Sequence, residues 1–285
     1  MVTRRTHRRE LLLRPGRLTD QTLEYLLAVF IKEHELLLHA ITVLSNHHHT
    51  VVTDPKGAIV DFTRDFHSFI ARNLNATFGE FESVWSSTQT SLVSLEGDEA
   101  IVDKIAYTLS NPVSSFLVRE AIKWPGIRRA WPAAPRTIKR PPGIFADDER
   151  WPAEVTLELT RPPCFDNLDD EALAELIALR CESKEQDARD KAARQGIEFL
   201  GRRAVRRQRR RSRPHGREPR FGISPRLACK DKWRRIERLQ ANKVWQARYA
   251  SCRKRWVAGE RDVEFPYGTY LMRVRFGVRI AAAPT

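Results

Sequence analysis

The stretch "LLLHAITVLSNHHHTVVTDPKG", residues 36–57, reads as a β-hairpin. Leu36 to Leu44 is an apolar run rich in strand-forming residues, Asn46 breaks it, and His47 to Thr53 resumes with β-branched side chains that favour a pleated backbone. Asp54-Pro55-Lys56-Gly57 closes the second strand as a turn. Side chains alternate faces along a strand, so His47 and His49 share one face and His48 points to the other. Two imidazoles so spaced on a rigid strand supply two ligands of a divalent-metal site. The third must come from elsewhere in the chain.

Working outward from the hairpin, Glu10 to Leu13 reads as a short strand that stops at the turn Arg14-Pro15-Gly16. Thr19 or Asp20 can cap a helix running to about Glu33, with Leu23, Leu26, Leu27 and Phe30 on one face. Phe62, Phe66, Phe69, Ile70 and Leu74 recur at helical spacing, which predicts a second helix over about 59–78. Gln89 to Leu95 alternates weakly and reads as a strand. Ile101, Val102, Ile105 and Leu109 mark a third helix beginning at Asp98. The order strand–helix–strand–strand–helix–strand, then a helix, predicts an α+β fold: a ferredoxin-like antiparallel sheet with helices on one face.

Past Ala130 the composition shifts, and the residues predict a basic, mainly helical C-terminal extension. Residues 131–163 are rich in proline and read as a connector, followed by a charged helical stretch, so that 131–201 forms one linking region. Residues 202–228 contain "RRAVRRQRRRSRPHGREPR", an arginine block expected to stay solvated or disordered until it meets an anion. Residues 229–285 return to helical periodicity, and "FPYGTYLMRVRFGVRI" reads as a turn and a terminal strand.

The 285-residue chain has 50 Lys and Arg against 36 Asp and Glu, a formal net charge of +14. Such an excess points to a polyanionic partner, nucleic acid first. Arg202, Arg203, Arg206, Arg207, Arg209, Arg210 and Arg211 are the candidate DNA-contacting residues. No apolar run approaches the ~20 residues that span a bilayer, and no membrane partner is expected. The Leu11-Leu12-Leu13 run is too short for a signal-peptide core. A cytoplasmic, nucleoid-associated protein is expected. Cys164, Cys181, Cys229 and Cys252 are scattered, with no CxxC pair, and read as ordinary thiols.

The third helix carries Tyr107 and Asn111, four residues apart and so on one side of it. Pro112 predicts a helix end or kink nearby. If that side faces His47 and His49, Asn111 becomes the third metal ligand and Tyr107 lies beside the bound ion. A tyrosine hydroxyl is a weak nucleophile unless it is well placed and its electrophile polarised. A divalent cation on a phosphate oxygen supplies that polarisation. Tyr107 could then attack a DNA phosphodiester and keep the bond energy in a phosphotyrosine, from which the strand is rejoined.

Two motifs carry a resemblance. His47-His48-His49 within "NHHH" is similar to the HUH pattern in its "N-H-x-H" context. "YTLSNPVSSFLV", from Tyr107, resembles "Y-I-x-x-N-P-V-x-x-G-L-V", and "WPG" at Trp124–Gly126 is similar to the same group. These are features of single-tyrosine HUH transposases, specifically the REP-associated, insertion-sequence-200-like branch. The resemblance covers about residues 5–130, an HUH-like catalytic domain. It implies a metal-dependent tyrosine transposase that cleaves and rejoins single-stranded or hairpin DNA through a 5′-phosphotyrosine. It further implies Mg²⁺ or Mn²⁺ as cofactor and, often, a homodimer. Carried over by motif, Tyr107 is the nucleophile and His47, His49 and Asn111 are the metal ligands. The chain departs from the pattern at His48, where a bulky apolar residue is usual, and at Phe116, where glycine is common.

Each feature also has a plainer reading. Three histidines in a row can be a surface cluster, and Tyr107 can be a packing residue. His39 and His67 read as structural or exposed, Tyr25 as packing and Trp85 as core. Two function classes follow: a DNA-cleaving and rejoining enzyme, or a nucleic-acid-binding protein that keeps the fold without the chemistry. Whether His47, His49, Tyr107 and Asn111 converge in space discriminates between them.

Overall fold

A computed structural model describes residues 1–142, 144, 150–214 and 225–282. The chain divides into two compact units, Met1–Ala228 and Cys229–Thr285. Unit 1 is built on a five-stranded antiparallel sheet of order β4-β1-β3-β2-β6. Its strands are β1 (Val2–Arg5), β2 (Leu37–Leu44), β3 (His47–Thr53), β4 (Ser91–Leu92) and β6 (Arg128–Ala130); a further short strand, β5 (Ser94–Glu96), follows β4.

The hairpin β2–β3 occupies the centre. Leu44 pairs with His47, so only Ser45 and Asn46 form the turn, and the register runs through Thr42–His49 to Leu37–Thr53. A bulge at His39 shifts the phase of β2. It lets Leu38 share a layer with Ile41 and Val43, while Ala40 turns to the opposite layer. The buried His39 ring fills the bulge, bonded to the Thr160 carbonyl at 2.8 Å and Thr53 Oγ1 at 2.8 Å, a structural role.

Both faces of the sheet carry helices, which corrects the expectation of helices on one face. On one side lie α1 (Arg17–Glu33) and α2 (Ile59–Phe78), whose Leu26, Phe30, Phe62 and Phe66 pack under β2. On the other lies α3 (Asp98–Ser114), whose Val102 and Ile105 share a second core with Ala40 and Val51; α4 (Asp170–Gln195) packs on α3 and adds Leu173 and Ile177 to that core. A single central strand buried on both faces needs apolar or satisfied polar groups at every position, and β3 has them.

Three local expectations change. The first strand is Val2–Arg5, not Glu10–Leu13. Leu11, Leu12 and Leu13 are instead buried in a turn, with the Leu13 amide donating to the Ser45 carbonyl at 2.8 Å. Three consecutive buried leucines fit a loop tucked under the core better than an alternating strand. Helix α1 begins earlier than expected, at Arg17 with Gly16 as N-cap, so Thr19 and Asp20 lie in its first turn.

The proline-rich region is not a connector. Strands β7 (Arg136–Lys139) and β8 (Glu154–Leu157) form a hairpin, and Ile138, Trp151, Leu157 and Leu159 enter the main core. Trp151 lies tilted against Phe69 at 4.8 Å between ring centres and meets Phe30 edge-on at 5.9 Å. The prolines flank strands that pack, rather than keeping the chain extended.

The described part of the arginine block, through 214, is also ordered, contrary to the expectation of disorder; residues 215–224 lie outside the described ones. Arg202–Arg207 form helix α5, with Val205 buried against Val113, Val118 and Trp124. Arg210 lies 3.5 Å above the Phe78 ring and donates to the Leu12 carbonyl at 2.8 Å. Arg211 pairs with Glu10 at 2.9 Å and Glu80 at 3.1 Å. Fixed carboxylates and an aromatic face supply the partners that the sequence reading reserved for an anionic ligand.

A short strand, β9 (Leu227–Cys229), lies at the division of the chain. In unit 2, α6 (Lys232–Val257) matches the helical expectation, whereas α7 (Leu271–Phe276) stands where a terminal strand was expected, and an isolated bridge joins Phe265 and Ile280. Among the described residues no helix is long and apolar enough to cross a membrane.

If residues 131–163 belong to the core, Trp151→Ala should destabilise unit 1 by about 3–5 kcal/mol, the usual cost of deleting a buried aromatic. Urea unfolding checks this; a change below about 1 kcal/mol would restore the connector reading.

Candidate functional site

The alternation of β3 sorts its three histidines. His48 points toward α2, where its Nε2 lies 2.9 Å from His67 Nε2 and its Nδ1 3.0 Å from Thr50 Oγ1. Phe66 and Trp85 enclose the pair edge-on and tilted, and the Trp85 indole donates to the His67 carbonyl at 2.7 Å. His48 therefore acts as a packed core residue at a position where the HUH pattern usually has a bulky apolar one. Trp85 is core, as expected.

His47 and His49 point to the α3 side, their rings 4.9 Å apart. The Tyr107 ring lies 5.2 Å from that of His49, and Asn111 Nδ2 is 3.4 Å from His49 Nε2. Asn111 also acts on His47, favouring its charged form. The four residues singled out in the sequence thus converge on one spot between β3 and α3. His49 and Asn111 are buried, while His47 and Tyr107 are half-buried and reachable.

Local partners fix the imidazole orientations. His47 Nδ1 lies 2.7 Å from Asn46 Oδ1, an atom that only accepts, so Nδ1 carries the proton and Nε2 holds a lone pair. His49 Nδ1 lies 2.8 Å from Thr3 Oγ1 on β1, which can accept the proton of that nitrogen and leave Nε2 open. A hydrogen-bonded Nδ1 with a free Nε2 is the arrangement of metal-ligating histidines. Asn111 Oδ1 accepts from Ser115 Oγ at 3.2 Å. Turning the amide end over presents Oδ1 to the histidines while Nδ2 donates to the same hydroxyl, because a hydroxyl both donates and accepts. Two neutral imidazoles and a carboxamide oxygen fit a hard-to-borderline divalent cation.

The surroundings keep these imidazoles neutral. Burial, with Arg5 nearby, pulls His47 down to about 4, against an opposing influence of Asn111. Burial, then His47, His48, Arg5 and Lys104, holds His49 well below the ordinary range. Lys104, one turn before Tyr107, has its ammonium 5.3 Å from the Tyr107 ring centre. The cations Arg5 and Lys104 suit an anionic substrate. A cavity of about 270 Å³ opens beside His47, lined among others by Arg5, Arg9, Ser45, Ser115 and Gln208. A larger cavity, of about 900 Å³ between α1, β6 and β7, is lined by none of the four residues.

The motif neighbours have structural roles. The Trp124 indole donates to the Val43 carbonyl at 3.0 Å, and a Cβ on Gly126 would lie 2.9 Å from Pro15 Cγ and 3.0 Å from Trp124 Nε1. Helix α3 runs two residues past Pro112, and Phe116, just beyond its end, takes a left-handed φ of 54°. A glycine adopts that backbone without strain, which accounts for glycine being common there. Phe116 bears the strain while meeting Phe199 edge-on at 5.9 Å.

Of the arginine candidates, Arg202, Arg203, Arg206, Arg207 and Arg209 are exposed, whereas Arg210 and Arg211 are held by Phe78, Glu10 and Glu80. Thr3, Lys104 and Ser115 were not singled out in the sequence. Ser115 could have been found, since it lies four residues after Asn111 on the same helical side. A separate Glu33–His34–Asp65 cluster places ligand-type atoms within 4.8 Å of one another. Arg150 and Arg64 already bond its two carboxylates, which leaves little charge for an ion. The chain matches no protein-family model, no curated protein and no solved structure in the comparisons made.

Two outcomes follow from the sorting of β3. Mn²⁺ binding, followed by titration calorimetry, should be lost in His49→Ala and kept in His48→Gln; the reverse would shift the ligand register by one residue. His67, pulled by burial and then Arg4 down to about 3, titrates far below an unfolded imidazole near 6.5. The unfolded chain thus takes up the proton first as pH falls. Stability is full above about 6.5 and drains away between 6.5 and 3. Urea midpoints across that window should fall less steeply for His67→Gln than for the parent chain; equal slopes would assign the loss to other groups.

Proposed function

We propose that this chain is a metal-assisted tyrosine endonuclease that cleaves and rejoins single-stranded or hairpin DNA, of the transposase type that its HUH and tyrosine motifs resemble. The single observation that supports the reading is the convergence of Tyr107, His47, His49 and Asn111. The sheet order β4-β1-β3-β2 of its first four paired strands is that expected of a ferredoxin-like fold, which is the fold the resemblance implies. His47, His49 and Asn111 would hold Mg²⁺ or Mn²⁺, which when bound withdraws charge from a phosphate oxygen and orients the phosphorus. Tyr107 Oη attacks the phosphorus and loses its proton. The bond to the 3′ oxygen breaks, that oxygen takes up a proton, and the 5′ phosphate stays on the tyrosine. Reversal with another 3′ hydroxyl rejoins the strand. Arg5 and Lys104 offset the negative charge that the phosphate brings. A DNA substrate would place the protein at the nucleoid of the cytoplasm, and a homodimer belongs to the same reading.

Incubation with single-stranded hairpin DNA and Mn²⁺ should give a DNA adduct that survives a denaturing gel. Tyr107→Phe should bind DNA as the parent does and give no adduct, since only the hydroxyl is removed. A persistent adduct in that variant would move the role to another residue. Binding without any adduct in the parent would favour the second class, a nucleic-acid-binding protein that keeps the fold alone.

A further inference from the structure

The charge of the chain is unevenly divided. Cys229–Thr285 holds 14 of the 50 Lys and Arg and 5 of the 36 Asp and Glu, so this small unit carries +9 of the net +14. Four of its five acids are engaged within the unit. Asp231 caps α6 by accepting from the Arg234 amide, Glu260 pairs with Arg255, and Asp262 and Glu264 flank Arg279. Helix α6 itself has 26 residues, none of them buried, with nine Lys and Arg and one acid, Glu237.

The second half of α6 packs on its own unit. Tyr249, Cys252 and Trp256 lie against the Val263, Phe265, Met272 and Val278 cluster, and Trp245 stacks on Tyr249 at 5.3 Å while donating to the Tyr267 carbonyl. The first half, residues 232–244, lies outside that cluster. It is a rod of about 20 Å at 1.5 Å per residue, with Trp233, Leu239 and Val244 exposed. At about 100° per residue, Arg234 and Lys243 fall on opposite sides of the rod, Lys232 lies near Lys243, and Arg235 sits between the two sides.

This distribution selects the partner. A flat anionic surface, such as a membrane or an acidic protein face, is matched by cations on one side of a helix. A rod charged around its circumference is matched by a groove with phosphates on both walls. The B-DNA major groove, about 12 Å wide, admits a helix of about 10–12 Å diameter. The major groove of duplex RNA is too narrow for one. We propose that unit 2 is a duplex-DNA-binding module that lays the first half of α6 into the major groove and holds it mainly through phosphate contacts. This is a second nucleic-acid site, separate in residues and in substrate form from the tyrosine centre, and it does not depend on the chemistry proposed for that centre.

The test uses the full chain with Tyr107→Phe, which removes cleavage from the readout. Binding to a 20-base-pair DNA duplex is titrated against salt and compared with a duplex RNA of the same sequence and with phosphatidylserine vesicles. The variant Lys232→Gln/Arg234→Gln/Arg235→Gln/Lys243→Gln should bind duplex DNA more weakly. Its slope of log K against log salt should flatten by up to about 3.6, at about 0.9 per phosphate contact. The charge-keeping variant Lys232→Arg/Arg234→Lys/Arg235→Lys/Lys243→Arg should retain the parental slope, which separates loss of charge from loss of fold. An unchanged slope in the glutamine variant would overturn the proposal, as would tighter binding to duplex RNA or to the vesicles than to duplex DNA. In the chain with Tyr107 intact, adduct formation on single-stranded DNA at low salt should be the same with and without the glutamine substitutions. Its absence from both would count against the tyrosine chemistry and leave the duplex site standing.

Discussion

The register of β3 between β1 and β2 is the constraint on which the rest of unit 1 depends. With Ser45 and Asn46 as the whole turn, Leu44 must face His47, and every later residue of β3 has its layer assigned. Side chains alternate with a period of two, so a slip of one residue would exchange the layers completely. His48 would leave the aromatic pocket of Phe66 and Trp85, and His47 and His49 would enter it. Two imidazoles would then enter a pocket that now holds one, with His67 able to partner only one of them, and that cost favours the observed register. The same strand thus closes one core and opens one site, and the packing of His48 is the reason that His47 and His49 are aimed with so little freedom.

Much of this was legible because the relevant signals are local. The strand His47–Thr53 and the helix Ile59–Phe78 fall where β-branched residues and a phenylalanine stripe place them. Tyr107 and Asn111 share a side because four residues make about one helical turn. The layering of helices on both faces was not legible. Nothing in a one-dimensional pattern says which face of a sheet a helix will cover when the central strands are apolar on both. The first strand was misplaced for a related reason: Val2-Thr3-Arg4-Arg5 offers two arginines where a strand needs partners. The Arg4 guanidinium finds one, donating to the Ser86 carbonyl at 2.9 Å. Thr3 was missed as the partner of His49 with it.

Proline content misled in the opposite direction. Residues 131–163 carry the composition of a linker, yet their tryptophan and aliphatic residues lie in the main core. Proline disfavours helix and strand interiors but says nothing against packing. In this region prolines sit beside the strands, and Pro152 accepts a hydrogen bond from the buried Tyr25 hydroxyl at 2.6 Å through its carbonyl, the one backbone hydrogen-bonding group that proline keeps. Composition averaged over thirty residues hides the few positions that decide whether a segment folds.

Arginine shows the same limit of composition, with a consequence for electrostatics. Arg210 is largely buried, and burial pulls its guanidinium down to about 10 despite Glu80. Its guanidinium carbon lies 3.5 Å over the Phe78 ring, whose face compensates part of the lost hydration. Arg211 is exposed but spends its charge on Glu10 and Glu80. Neither can meet a phosphate without releasing a partner on the loop that carries Leu11–Leu13 beneath the Ser45–Asn46 turn. A charge count across 202–214 therefore overstates what that segment offers an anion, because part of it fastens the segment to the loop that supports the histidine hairpin. In α6 the balance is reversed: the helix holds nine cations and one acid, Arg255 pairs with Glu260 beyond its end, and none of these residues is buried. What a basic stretch can bind is set by how many of its charges the fold has already answered, and the two stretches differ in that respect more than in composition.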